Sequence, residues 1–276
     1  MANTKQLVVH HDDLGGSHSA NIAFLELVEL GVVTCGSVMV SAPWFTEVAN
    51  FARHRPELDI GVHLTLTSEF PEYRWRPLTS GPTLVDGAGF LWPDNAGART
   101  ADPDEVRIEL IAQIDTALAS GIDVTHLDSH MGTGWQPEFI EIYLELGKQY
   151  RLPIVVTQDV SRLSAPHTNL EHIFDRLRER LNPMFQRFLT TPFGNHEPRI
   201  RDYQDIFSQA EEGLNWCGFH FAAPGDIEFM TGDANTRIAE YELFGSGEMS
   251  DWMKSAGFDL VGMREYRERM RSSPLP

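Results

Sequence analysis

Hydrophobic positions along this 276-residue chain follow two alternating patterns. Short apolar runs of about four to eight residues, typical of buried strands, are followed by longer segments whose apolar residues recur every three or four positions, typical of amphipathic helices. The first pair is a strand at 7–11 and a helix at 19–30, which Gly31 ends. Residues 103–119 are predicted to be a helix with Asp102 as its N-cap and Gly121 beyond its end.

The alternation continues to the end of the chain. Further strands are predicted at 35–40, 59–64, 124–128, 154–157, 185–190, 214–221 and 259–261. Further helices are predicted at 45–54, 137–150, 170–181, 203–212, 236–244 and 249–256, and the proline at 137 is expected to open its helix. Roughly seven or eight strand–helix units predict a parallel sheet.

The number of these units, without a break in composition, favours a distorted (β/α) barrel of the TIM type over two domains. We expect residues 1–276 to form a single barrel-like domain. An open, doubly wound α/β sheet is the alternative. Residues 12–16, Asp-Asp-Leu-Gly-Gly, have neither the dinucleotide nor the P-loop spacing of glycines.

The segment at about 68–101 breaks the alternation. It is rich in Gly, Pro, Thr and Trp, and it has no helical period. Long loops in compact domains are usually functional. We expect a lid or rim over the site, with aromatic rings that stack on apolar sugar faces; the alternative is a packed cap over the barrel. Its aromatic residues are Phe70, Tyr73, Trp75, Phe90 and Trp92.

Amino-acid composition and net charge exclude some classes of function for this protein. Hydrophobic residues make up 42% of the chain and charged residues 22%, close to the average of soluble globular domains. The balance of 22 Lys and Arg against 40 Asp and Glu gives a net charge of −18. This charge argues against binding to nucleic acid or an anionic membrane and leaves a neutral or cationic substrate.

Cysteines and targeting signals indicate the compartment. Cys35 and Cys217 lie in separate apolar runs and form no ligand spacing or disulfide framework, so both are predicted to be core residues in a reducing environment. The first apolar run is too short for a signal peptide, and no stretch approaches a membrane span. We expect a cytoplasmic protein, and the sequence leaves a homodimer open.

Polar residues at the predicted strand ends are the candidates for catalytic and metal-binding roles. Asp12 and Asp13 follow the first strand, His63 lies in the third, and His130 follows the fourth. The C-terminal strand ends of a barrel surround its active site. Adjacent carboxylates raise each other's pKa unless a cation lies between them, so the pair indicates a metal ligand beside a general base. Taken singly, each residue also fits an ordinary turn or a buried, hydrogen-bonded histidine.

One carboxylate and two imidazoles make a set of three ligands with positions left open for water and substrate. This is the ligand number of a catalytic metal site rather than a closed structural one. His220 ends a late predicted strand. It is a candidate general acid across the metal from the aspartates, opposite the first strand.

These motifs, in this order, resemble those of the YdjC-like carbohydrate deacetylases over nearly the whole chain. Residues 11–15, His-Asp-Asp-Leu-Gly, resemble the family's Ala-Asp-Asp-Phe-Gly. Residues 61–65, Gly-Val-His-Leu-Thr, are similar to Gly-Leu-His-Leu-Thr, and 128–130 match Asp-Ser-His. Phe219-His220 with Pro224-Gly225 resembles a loosened Cys-His-Pro-Gly, and the segment from Arg237 to Phe244 resembles an Arg-x-x-Glu helix.

The resemblance implies metal ligands at Asp13, His63 and His130, with Asp12 as general base and His220 as general acid. It implies a distorted (β/α) barrel that hydrolyses the N-acetyl group of an amino sugar or a short N-acetylated oligosaccharide. One divalent metal is expected: Mg²⁺ from the family's usual description, or Zn²⁺ because two imidazoles suit a softer ion.

One departure from the family pattern concerns the substrate. The family commonly continues Asp-Ser-His with further histidines, whereas residues 131–135 here are Met-Gly-Thr-Gly-Trp, so substrate contacts there are expected to differ.

Two alternative functions remain: a metal-dependent hydrolase of another bond, such as a phosphoester, and a non-catalytic sugar-binding relative. A phosphoesterase would need basic residues that bind the phosphate, and only Arg74, Arg76 and Arg99 lie near the predicted rim.

Overall fold

A computed structural model describes residues 4–158, 170–191 and 197–273. The strands are β1 Lys5–Leu14, β2 Cys35–Val38, β3 Ile60–Leu64, β4 Leu127–Ser129, β5 Phe188–Thr190, β6 Gly213–Phe219 and β7 Asp259–Leu260. The helices are α1 His18–Glu29, α2 Phe45–His54, α3 Asn95–Ala98, α4 Pro103–Ala119, α5 Ile140–Tyr150, α6 Leu170–Glu179, α7 Ile200–Ser208, α8 Ala234–Gly245, α9 Glu248–Ser255 and α10 Arg264–Ser272.

All strand pairs are parallel, and the sheet runs in the order β4-β3-β2-β1-β6-β5, with β7 added beside the start of β1. The predicted strand at 154–157 is too irregular to form a full ladder. It nevertheless makes single bridges from Ile154 to Leu127 on one side and from Thr157 to Phe185 on the other. The segment therefore links the two edges, and the sheet curls into the predicted distorted barrel rather than an open sheet.

The central strand β1 is buried on both faces, as expected for a parallel sheet covered by helices. Leu7 and Val9 pack in the large cluster between sheet and helices, whereas Val8 belongs to a separate cluster with Cys35 and Trp216. Both cysteines are free and buried, as predicted for core residues. Of the described helices, none has the length and apolar character needed to cross a membrane.

Helix boundaries follow local capping. In α4 the Asp102 carboxylate accepts hydrogen bonds from the Asp104 and Glu105 amides, as predicted. The prediction for α5 was wrong at its start, because residues 136–139 form a turn in which the amides of Phe139 and Ile140 both donate to the Gln136 carbonyl. Pro137 therefore precedes the helix.

In the last third of the chain, one predicted helix starts at another residue and one helix was missed. Helix α7 begins three residues before the predicted 203, because the Asp202 carboxylate accepts a hydrogen bond from the Arg199 amide. Helix α10 was not predicted, because its sequence is mostly charged and has no apolar period. It is anchored by Arg267, which is buried and hydrogen-bonds to Asp123 and to the Val124 carbonyl.

The long loop at 68–101 packs mainly on itself and on α4. The Trp75 indole is 3% exposed and donates to the Thr67 carbonyl, and the Trp92 indole donates to the Thr83 carbonyl. The Glu109 carboxylate of α4 accepts hydrogen bonds from two loop amides. The expectation that Trp75 and Trp92 face a sugar was wrong, because Trp75 is buried and the half-buried Trp92 packs against Gly97 within the loop.

Candidate active site

Asp12 and Asp13 reach the same cavity because β1 is irregular at its end. The register of β1 against β2 shifts between His11 and Leu14. Asp13 has a φ of 63°, in the left-handed region that aspartate tolerates better than most residues. Such a bulge re-aims side chains that would otherwise point to opposite faces. Both carboxylates line a cavity of about 590 Å³, which is in the usual range for ligand sites.

Asp13, His63 and His130 come together on one side of this cavity. Asp13 Oδ1 lies 3.4 Å from His63 Nε2 and 3.1 Å from His130 Nδ1. This buried oxygen has no contact with hydrogen-bond geometry. One potential ligand atom from each residue lies within 4.8 Å of the other two. A divalent cation would satisfy the orphaned oxygen, and the carboxylate–imidazole set fits such an ion.

A carboxylate holds the opposite nitrogen of each imidazole. His63 Nδ1 lies 2.6 Å from Asp128 Oδ1, and His130 Nε2 lies 2.9 Å from Glu69 Oε2. Metal-binding histidines commonly donate their second ring N–H to such a partner, which fixes tautomer and orientation. Sequence reasoning missed both roles. Asp128 was visible in its motif, but its pairing with His63 follows from the β3–β4 register, and nothing in the sequence marked Glu69.

The described residues contain two further groups with metal-ligand chemistry. These are His10 with Cys35 and His126, and His10 with Asp12 and Asp128. Both depend on His10, whose two ring nitrogens already hydrogen-bond to Asp12 and His126. A catalytic metal also needs an open coordination position, and His10 does not line the cavity. The set containing Asp13 is therefore the better candidate.

His220 lies beside the aspartates. The prediction that it faces them from the opposite side of the barrel was wrong, because β6 pairs directly with β1. Its Nε2 is 3.6 Å from Asp12 Oδ2 and 3.9 Å from Asp13 Oδ2. The His220 imidazole and the Asp12 carboxylate are therefore neighbours in the cavity lining.

Arg237 of α8 is a further charged residue in the cavity lining, and the sequence analysis gave it no role in the site. Its Nη1 lies 3.3 Å from Asp13 Oδ2, while its Nε lies 3.0 Å from Asp233 Oδ1. It is the single Lys or Arg among the described residues that line the cavity, and both of its salt-bridge partners are carboxylates. Arg74 and Arg99 instead pair with Asp86 and Glu138, away from the cavity.

Burial and the neighbouring charges shift the pKa values of the site residues in opposite directions. Burial would raise the pKa of Asp13, but the neighbouring imidazoles of His130, His63 and His220 hold it well below its usual range. Burial likewise disfavours a protonated His130, but Glu69 and Asp13 outweigh it and raise its pKa to about 9. In the metal-free protein, protons on His63 and His130 balance the buried carboxylates, because the pKa values of both imidazoles are raised, and a metal would have to displace these protons.

Residues 6–255 match the family model described as YdjC-like protein. The chain belongs to the YdjC-like family. A carbohydrate deacetylase of Thermus thermophilus is 38% identical over 273 residues, covering 98% of this chain and 97% of the relative. A carbohydrate deacetylase of Enterococcus faecalis is 33% identical over 265 residues, covering 94% and 97%. The family resemblance seen in the sequence is thus confirmed.

A solved structure supports the fold of this YdjC-like chain. The crystal structure of an Enterococcus faecalis protein, provisionally named for cellobiose-phosphate cleavage, superposes with a TM-score of 0.80. The match covers 95% of this chain and 98% of that one at 24% sequence identity. At this identity the likeness establishes the fold, and it agrees with the curled parallel sheet described above.

Proposed function

We propose that this protein is a metal-dependent carbohydrate deacetylase that removes the N-acetyl group from an amino sugar or a short N-acetylated oligosaccharide. The main support is that Asp13, His63 and His130, whose potential ligand atoms lie close enough to share a cation, line one cavity with Asp12 and His220 beside them. Relatives covering nearly the full chain are named carbohydrate deacetylases.

The roles follow from position and chemistry. A divalent cation held by Asp13, His63 and His130 would polarise the acetamide carbonyl and acidify a water molecule. Asp12, which is not needed as a ligand, takes the proton from the attacking water. His220 gives a proton to the departing nitrogen as the C–N bond breaks. The products are acetate and a free amino sugar.

The rest of the cavity suits an uncharged sugar. Phe70, Trp135, Phe188 and Trp216 supply apolar surface, and Arg237 is already paired with two carboxylates. Aromatic rings pack against the apolar faces of sugars, while a phosphoryl group would need unpaired cationic donors. The carboxylates also favour an amine product, which is cationic at neutral pH.

Acetate release tests this proposal. Protein loaded separately with Mg²⁺ and with Zn²⁺ is incubated with N-acetylglucosamine and its β-1,4 oligomers, before and after chelation. We expect metal-dependent acetate release and a matching amount of free amine. Hydrolysis of p-nitrophenyl phosphate without acetate release would favour a phosphoesterase, and saturable sugar binding without turnover would favour a non-catalytic relative.

We expect His220→Ala to slow N-deacetylation by about 10²–10⁴-fold, the usual contribution of a general acid. The loss should be much smaller for an acetate ester with a good leaving group, since that group needs little protonation. The measurement is kcat on an N-acetyl sugar and on p-nitrophenyl acetate with the same metal-loaded protein. Equal losses on both substrates would show that His220 has another task.

Metal binding should strengthen as pH rises from 6.5 to 9. In the metal-free fold the pKa of His130 is raised from 6.5 to about 9, so its protonated form stabilises the protein fully below 6.5 and this contribution is lost towards 9. A metal needs the unprotonated imidazole. The rise in Tm on adding Mg²⁺ or Zn²⁺ should therefore increase across this window. If the metal-induced increase in Tm stays constant or becomes smaller as the pH rises, the assignment of His130 as a ligand is contradicted.

A further inference from the structure

Behind Asp12, on the side away from the cavity, lies a pair of buried histidines. His10 is fully buried, and its Nδ1 is hydrogen-bonded to Asp12 Oδ1. Its Nε2 lies 3.1 Å from His126 Nε2, and His126 Nδ1 lies 3.0 Å from the Thr125 hydroxyl. The His10 ring packs on the Trp216 indole, with 4.3 Å between ring centroids.

The chemistry of the partners determines which atom of His10 donates. An ionised carboxylate only accepts hydrogen bonds, so His10 Nδ1 must carry the proton in its bond to Asp12. Burial, with the nearby His10, lowers the pKa of His126 to about 3, so His126 is neutral and offers one donor and one acceptor nitrogen. The Thr125 hydroxyl can also donate or accept. Both ends of the His10 ring are thereby held.

This contact leaves one oxygen of Asp12 for chemistry. Oδ1 is engaged by His10, whereas Oδ2 points towards the cavity and lies 3.6 Å from His220 Nε2. Gly218 makes room for it, because a β-carbon at that position would lie 3.3 Å from Oδ2. The carboxylate is therefore fixed with one defined oxygen facing the substrate.

We propose that His10 is a positioning residue for Asp12, and that His126 and Trp216 hold the His10 ring in place. The proposal rests on the deacetylase function proposed above, in which Asp12 is the general base. Misplacing a catalytic group by about 1 Å can cost on the order of 10²-fold in rate, so this contact is expected to affect kcat. The metal affinity is expected to change little, because His10 is neither in the cavity lining nor in the Asp13 set. His10 reaches the ligand His63 only through Asp128, whose Oδ2 lies 3.8 Å from His10 Nε2.

Two substitutions separate positioning from packing. His10→Leu fills similar space without a donor and should lower kcat for acetate release by on the order of 10²-fold, with KM and metal affinity nearly unchanged. His10→Asn is smaller and packs less well, but its amide nitrogen can replace the Nδ1–H donor and should restore most of the lost kcat. If the asparagine variant is as impaired as the leucine variant, or if the leucine variant retains normal kcat, the proposal is wrong.

His11 provides the matched control. It is the next residue in β1, is equally buried, and bonds through Nε2 to the Ala20 carbonyl rather than to Asp12. The family motif has alanine at this position, so His11→Ala should fold and keep kcat within a few-fold of wild type. A loss equal to that of His10→Leu would show that any buried histidine of this strand matters equally, which contradicts a specific role for His10.

A spectroscopic measurement keeps the proposal testable without turnover. In protein labelled with ¹⁵N-histidine, His10 should be protonated at Nδ1, and its downfield Nδ1–H signal should shift in Asp12→Asn. A His10 protonated only at Nε2 would overturn the proposal, even if neither His10 variant folds. If wild type releases no acetate, the deacetylase function fails, while this signal still decides whether His10 holds Asp12.

Discussion

Replacing Asp12 by asparagine is expected to lower kcat for acetate release by about 10²–10⁴-fold while the metal stays bound. Asparagine has the same shape as aspartate. Its Oδ1 can still accept the hydrogen bond from His10, and its amide group takes the place of Oδ2 beside His220. The variant therefore keeps the local structure but has no basic oxygen to take a proton from water.

The experiment compares kcat of wild type and Asp12→Asn after both are loaded with the same metal and their metal content is measured. Equal metal content ensures that a slow variant has lost its base rather than its ion. Near-normal turnover by a fully loaded Asp12→Asn protein would falsify the general-base assignment. Activity that is unchanged in both Asp12→Asn and His10→Leu would place the base elsewhere.

The neighbouring substitution, Asp13→Asn, is expected to abolish metal binding and turnover together. Asp13 Oδ1 is the buried oxygen that faces both His63 and His130, and Oδ2 faces Arg237. Loss of a partner that only orients a metal ligand typically costs about 10–100-fold in affinity or activity. Loss of the ligand carboxylate should cost at least as much, because the amide oxygen of asparagine carries no negative charge and is a much weaker ligand.

Asp12→Asn is the matched control for this experiment, since the two substitutions make the same chemical change one residue apart. Metal affinity is measured by calorimetry for Mg²⁺ and Zn²⁺, and Tm is measured with and without each ion. We expect metal to raise the Tm of Asp12→Asn and leave that of Asp13→Asn unchanged. The reverse result would exchange the roles of the two aspartates.

Much of the fold was predictable from the sequence, because strands and helices leave local periodic patterns. The bounds of α4 were predicted to the residue, since Pro103 and Asp102 form its start and Gly121, with a φ of 87°, follows its end. Helix α10 was missed because its burial depends on Arg267 reaching Asp123, a contact between residues far apart in the chain. The orientation of Trp75 was predicted wrongly for a different reason: its indole donates to the nearby Thr67 carbonyl, and the composition of a loop without helical or strand period does not show which way its rings face.

The sequence by itself determined which residues stand at the strand ends, including Asp12, Asp13, His63 and His130. Apolar runs set the strands, and the C-terminal ends of parallel strands converge in any barrel. The tertiary structure alone decided how these residues are oriented. His63 and Asp128 are 65 positions apart, and Asp13 and Arg237 are 224 apart. Such contacts depend on strand register and on the bulge at Asp13, which local sequence patterns do not encode.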